Sequence, residues 1–333
     1  MNASIPYFIS SHSSRGYVSY YGDAFGGLNH TELLTGWPAA SGQKLFQDAL
    51  ALAAKQKLTV HTILHSLDGS IEGLVFPELS FGIYLSRPWD GIVLSGMGLS
   101  ESYQPVKNAL EEAHRHFGAA LPIHDRWEAI YLKSIDFDAI DTLTEKTIRS
   151  LFSGKEGGES GKNSLRFLGA ATHLGSTDVV QEITSELPRR IFIKGRPGTG
   201  KSTMLKKIRA AANQAGWDTE EYRCAFDPNS ADMVVIRKMG VCLFDSTAPH
   251  EHFPSRSGDE ILDVYQAAVA PDTDEKYHQE LAVVSAEYKA EIRQATTSLH
   301  KAWTLWSELE NGEGAINIDA EKAARESILE QLL

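Results

Sequence analysis

The chain has 333 residues, 42% hydrophobic and 23% charged, with 32 basic against 44 acidic residues and a net charge of −12. That balance belongs to a globular protein of about two domains and excludes disorder as the main state. No run approaches the ~18 apolar residues of a membrane span, and the acidic excess argues against nucleic acid as the main partner, because phosphate neutralisation drives such binding.

The N-terminus, Met1-Asn-Ala-Ser-Ile-Pro6, lacks the basic and apolar regions of a signal peptide, so the cytoplasm is the expected compartment. Tyr7 to Gly16 reappears faintly as Arg166 to Gly175, with Phe8 over Phe167 and Gly16 over Gly175. Leu33-Leu-Thr-Gly-Trp-Pro38 lies over Phe192-Ile-Lys-Gly-Arg-Pro197, and Asp68 over Asp227, all at a spacing of 159. Gly82-Ile-Tyr-Leu85 then matches Gly240-Val-Cys-Leu243 at 158, and Ile123-His-Asp-Arg-Trp127 resembles Leu299-His-Lys-Ala-Trp303 at 176. Ordered blocks at nearly constant spacing predict an internal duplication. Each copy reads as an α/β core with a helical tail: residues 1–152 and 165–333, joined by a charged Gly/Ser-rich linker at 153–164. His124 and His300, each three residues before a Trp, read as packing or surface residues.

In the second copy, Arg190 to Lys194 predicts a short strand and Thr203 to Ala215 a helix capped by Gly216. Thr219 to Ala225, Met233 to Ile236 and Val241 to Phe244 predict further strands, and Tyr277 to Leu309 one or two amphipathic helices. Cys224 and Cys242, the two cysteines, fall in apolar strand patterns and read as packing residues. Strands alternating with helices predict an α/β protein of two tandem P-loop NTPase-like domains, each a mostly parallel sheet flanked by helices.

Gly195-Arg-Pro-Gly-Thr-Gly-Lys-Ser202 fits the phosphate-loop pattern G-x-x-x-x-G-K-[ST] at every fixed position, with a strand before it and a helix after. Glycines let successive backbone N–H groups turn inward onto phosphates, and the helix N-terminus adds its dipole. Gly195, Arg196, Pro197, Gly198, Thr199, Gly200, Lys201, Ser202 and Thr203 are therefore the expected nucleotide contacts. Lys201 would reach the β- and γ-phosphates, and Ser202 would ligate Mg²⁺. Asp245, at the end of the apolar run from Gly240, is the expected second magnesium ligand, and Thr247 could sense the γ-phosphate. The polar loop from Ala248 to Glu260 leaves that strand end, where ligands sit in open α/β sheets. In it, Glu251 could orient a water, His250 or His252 could touch substrate, and Arg256 could meet developing charge; Arg87 is a second arginine candidate. Asp227-Pro-Asn-Ser230 either faces the cleft or is a plain turn.

Laid on this loop, Gly36 to Gln43 of the first copy keeps the first Gly and the Pro. Gly42 stands where the lysine is needed and Gln43 where the serine is needed, while Ser86 or Arg87 falls near the place of Asp245. The first half is expected not to hydrolyse nucleotide.

These residues resemble a group of uncharacterised bacterial ATP-binding proteins with two tandem P-loop NTPase halves. Arg190 to Ile208, Phe226 to Ser230 and Phe244 to Glu251 carry the resemblance. It implies ATP binding at Gly195 to Thr203 in the cytoplasm and implies no substrate. Three functions fit: an ATPase coupled to conformational change, with the first half packing on the second; a kinase transferring the γ-phosphoryl group to a small molecule; and a non-catalytic ATP-gated interaction module. A homo-oligomer remains open.

Overall fold

Eleven strands join into one mixed sheet in the computed structural model, which describes residues 4–90, 101–248, 251–312 and 318–333. The first half runs β1 (Ser4–Phe8), β2 (Ser10–Ser13), β3 (Gly16–Ser19), α1 (Tyr21–Phe25), β4 (His30–Thr35), α2 (Ala39–Gln56), β5 (Val60–Leu64), β6 (Ile71–Phe76) and β7 (Phe81–Ser86). Helices α3 (Gln104–Leu132) and α4 (Phe137–Phe152) close it. The second half repeats that order as β8 (Asn163–Phe167), β9 (Gly169–Thr172), β10 (Gly175–Asp178), α5 (Val180–Ile183), β11 (Arg189–Lys194), α6 (Lys201–Gln214), β12 (Thr219–Arg223), β13 (Ala231–Ile236) and β14 (Val241–Asp245). It then adds β15 (Asp259–Asp263), α7 (Val264–Ala268) and α8 (Thr273–Lys276) before the helices α9 (His278–Gly312) and α10 (Ile318–Glu330).

The strand order is β15-β11-β14-β13-β12-β8-β1-β5-β6-β7-β4. The halves meet where β1 and β8 pair antiparallel through Phe8 and Phe167, two residues that the sequence superposes. Within each half, one strand runs counter to the rest: β6 or β13, each lying antiparallel to both its neighbours. The cause is local. A three-residue 3-10 turn (Pro77–Leu79 or Arg237–Met239) returns the chain directly as a hairpin, leaving no room for the crossover that parallel pairing needs. Each turn closes on a left-handed residue, Ser80 at φ 50° and Gly240 at φ 67°.

That turn corrects the alignment of the two copies. Ser80 answers Gly240, so the second copy gains a residue here instead of losing one. The register agrees: Leu34 pairs with Leu85 as Ile193 pairs with Asp245. The strand counterpart of Asp245 is therefore Leu85, not Ser86 or Arg87.

One face of the sheet buries Tyr7, Ile63, Tyr84, Phe192 and Phe244 with residues of α5. On the other, α6 lays Met204, Leu205 and Ile208 on Ile191, Ile193, Val234 and Leu243. Helix α2 does the same in the first half with Leu45 and Phe46 on Leu34, Leu74 and Ile83. The tail helices are exchanged. Ile140 and Leu151 of α4 join the core under α6, whereas Ile328 of α10 and Leu332 just beyond it join the core under α2. Helices α3 and α9 pack side by side through Ala113, Phe117, Ala295, Leu299 and Ala302. The Gly/Ser-rich segment between the halves lies on the end of α6, where Gly157 N–H donates to Ala215 O at 2.8 Å and Gly161 N–H to Asn213 O at 3.0 Å. Among the described residues, no helix is long and apolar enough to cross a membrane.

Candidate functional site

Strand β11 ends at Lys194, and after six intervening residues α6 begins at Lys201. Gly198 (φ 75°) and Gly200 (φ 81°) give the connecting loop two left-handed turns, a conformation that costs glycine nothing. Gly200 is the N-cap of α6 and offers no side-chain acceptor. The first N–H groups of the helix are thereby left for a ligand, at the positive end of its dipole.

The loop is tied from within. Thr199 Oγ1 donates to the Arg196 carbonyl at 2.8 Å and accepts from the Arg196 N–H at 3.2 Å. A Cβ on Gly195 would lie 2.7 Å from that same Oγ1, so the first glycine makes room for the tie. Outside, the Arg196 guanidinium binds Asp274 at 2.8 Å and lies over the Tyr265 ring. Tyr131 of α3 donates its hydroxyl to the same Asp274 at 2.9 Å; burial, then this carboxylate, pushes the phenol up.

Lys201 is almost buried and folds over the cup, its Nζ donating to the Arg196 carbonyl at 2.6 Å and standing 3.5 Å from Asp245 Oδ2. Asp245 is held by Thr247, whose N–H and hydroxyl both donate to Oδ1, at 3.1 and 2.5 Å. Ser202 Oγ accepts the Ala231 N–H at 2.9 Å, joining the first turn of α6 to the start of β13 and keeping a second lone pair. Thr203 is exposed. An uncapped helix N-terminus, one ammonium, a hydroxyl and a carboxylate suit a polyphosphate and a hard divalent cation. Ser202 and Asp245 fit the cation, because among the described residues Oδ2 is engaged only by an ammonium that a phosphate would attract away.

No protein-family model, curated protein or solved structure matches this chain.

The other sequence candidates lie elsewhere. Glu251 pairs with Lys194 at 3.5 Å. Ile191 and Ile193 face α6, so Lys194 falls on the opposite face of β11. There Lys194 Nζ donates to the Ser246 and His252 carbonyls at 2.8 and 3.0 Å, pinning the polar loop. His252 Nε2 stands 3.1 Å from Asp178. Arg256 donates to the carbonyls of Thr184 and Ser185, and Arg87 is buried against Glu310 at 2.5 Å, so each guanidinium has a structural task. His250 falls outside the described residues. Asp227 begins a turn beside α6, where it accepts from Arg15 of the first half at 3.1 Å, while Lys206 donates to Asn229 O at 2.5 Å. Burial pushes both thiols up, Cys242 to about 12, which suits packing residues.

In the first half, only Gly36 to Pro38 separate β4 from α2. Ala39 to Gly42 are already helical, so the wrapped loop does not form. Gly42 backs onto Leu85, where a Cβ would meet Cδ2 at 2.7 Å. Gln43 Nε2 donates to Ile71 O at 2.5 Å, in the place where Ser202 meets Ala231.

Two residues at the loop went unnoticed in the sequence, and both come from the first half. A Cβ on Gly198 would lie 2.9 Å from Cβ of Glu128, and one on Gly200 would lie 3.3 Å from Cδ1 of Ile140. Neither carries a motif; only the path of α3 and α4 across the second half brings them there.

Proposed function

We propose that the chain binds ATP with Mg²⁺ at Gly195 to Thr203 and hydrolyses it, coupling turnover to movement of the helices that rest on the loop. The observation that carries this reading is the glycine-turned loop with Lys201 folded onto its own Arg196 carbonyl, a cation poised for exchange onto phosphate. The uncapped N–H groups at the start of α6 hold the phosphates, and Lys201 swings to the β- and γ-oxygens. When bound, magnesium neutralises charge across the phosphate oxygens, with Ser202 and Asp245 as its protein ligands. Thr247 keeps the Asp245 carboxylate oriented. The two halves are read as tandem P-loop units of which one keeps a working loop; in the other, helix α2 occupies the space of the cup and Leu85 replaces the carboxylate. Nucleotide is the partner this site supports.

Titration calorimetry with MgATP tests this. One site per chain is expected, with phosphate released in the absence of any acceptor. Lys201→Ala should weaken binding and lower turnover at least about 100-fold. No uptake of ATP or GTP by the wild-type chain would refute the proposal, and ADP formation only with an added acceptor would replace hydrolysis by phosphoryl transfer.

A further inference from the structure

Helix α3 belongs in sequence to the first half, yet its C-terminal part runs along the phosphate loop of the second. Three contacts fix it there. Gly198 approaches Glu128 so closely that a Cβ would lie 2.9 Å from Cβ and 3.0 Å from both Cα and the carbonyl oxygen of Glu128. One turn further on, Tyr131 shares Asp274 with the loop residue Arg196. At the other end of this stretch, the His124 ring meets Phe226 and Tyr288 at 5.9 and 5.8 Å, so α3 is wedged between the Asp227 turn and α9.

We propose that Glu128 is a catalytic residue of the phosphate site, the carboxylate that takes a proton from the attacking water. The inference rests on the ATP-hydrolysis reading and adds a group from the other half of the chain. Glu128 begins its side chain at the rim of the loop, and that side chain is 38% exposed. Its carboxylate stands 3.7 Å from His124 Nδ1, and a carboxylate oxygen of Asp125 lies within 4.8 Å of both. Glu251, the acid expected from sequence to orient the water, is engaged by Lys194 on the far face of β11. The fixed register of α3 matters, since a water-orienting group must be held within hydrogen-bond reach of its target.

In the step itself, the water oxygen attacks the γ-phosphorus and the bond from that phosphorus to the β,γ-bridging oxygen breaks. ADP departs with the bond's electron pair, and the water's proton passes to the Glu128 carboxylate and then to solvent. Products are ADP and inorganic phosphate.

The test uses the full chain with a fluorescent ATP analogue for affinity, phosphate release for turnover, and melting for integrity. Glu128→Gln keeps the shape of the side chain. It should reduce turnover at least about 100-fold, leave nucleotide affinity within about threefold, and leave the melting temperature unchanged. Glu128→Asp should recover part of the rate, and Glu112→Gln, about four turns earlier on the surface of α3 beside Arg115, should hydrolyse like wild type. Tight binding and undiminished turnover in Glu128→Gln would overturn the role of Glu128 while leaving the nucleotide site standing. Parallel loss of affinity and rate would overturn it too, marking a structural contact. A wild-type chain that takes up no nucleotide would overturn both readings together.

Discussion

Glu72 is fully buried, and among the described residues neither carboxylate oxygen has a hydrogen-bond partner. Its neighbour Asp90 is better provided for, accepting the hydroxyls of Tyr17 and Tyr84 at 2.9 and 3.0 Å and the Arg87 N–H at 2.7 Å. Burial first, and the Asp90 charge second, push Glu72 well above its ordinary value of 4.5, against an opposing pull from Arg87. The fold therefore retains a proton that the unfolded chain gives up. Below pH 4.5 both states hold it, and Glu72 costs no more than a neutral buried acid. As pH rises from there towards the folded value, the unfolded state is favoured by about 1.4 kcal/mol per unit. Glu72→Gln removes this titration and should raise the melting temperature at pH 8 by at least about 2 °C relative to wild type, with the gain vanishing near pH 4. Thermal melts of both proteins from pH 4 to 8 give the comparison; a gain independent of pH would assign the effect to packing.

At the level of a helix on its strand, the two halves solve one packing problem differently. In the second half, β14 ends in Asp245 beneath an open loop; in the first, β7 puts Leu85 there and α2 starts early enough to cover it. Gly42 is the position that allows this contact. Gly42→Ala should destabilise the protein by about 1–3 kcal/mol through overpacking against Leu85, despite the better helix propensity of alanine. Adding Leu85→Val should restore part of the loss, so urea melts of the two single variants and the double variant should show favourable coupling. Simple additivity would mean that the helix shifts freely. The glycine-turned loop before α6 and the strands around it were legible because their signals are local: fixed glycines, a lysine and an apolar run. The start of β13 at Ala231, two residues before the apolar run from Met233, was not, because its N–H is satisfied by Ser202 across a gap in sequence. Nor was the early start of α2 evident from aligning Gly36 to Gln43 on the intact loop, since an alignment assumes the conformation that Leu85 displaces. Glu128 and Ile140 were invisible for a related reason: an amphipathic stripe says that a helix face is buried but not against which half.

That ambiguity is resolved by the exchange of tail helices, which turns two repeated sequences into one cooperative body. Helix α4 sends Ile140 and Leu151, with the partly buried Ala139, Leu143, Ile148 and Phe152, into the core beneath α6. Fully burying a large aliphatic side chain contributes roughly 1.5–3 kcal/mol. Removing α4 thus costs the second half on the order of 5–10 kcal/mol, comparable to the whole stability of a typical domain. The first half depends on Ile328 and Leu332 in the same manner. A fragment of residues 153–333 should therefore lack a sharp urea transition on its own, as should a fragment of 1–152, whereas the full chain should unfold in a single step. Co-expression of the two fragments should restore a folded complex, because every exchanged contact is then available in trans. Circular dichroism through a urea series reads the outcome. A fragment of 153–333 that melted as sharply as the intact chain, at the same midpoint, would show that α4 contributes little to that core. The same dependence gives the nucleotide reading its mechanical consequence: a loop touched by Glu128 cannot change shape without pressing on α3, whose other end packs Val106 and Leu110 with Leu67 of the first half.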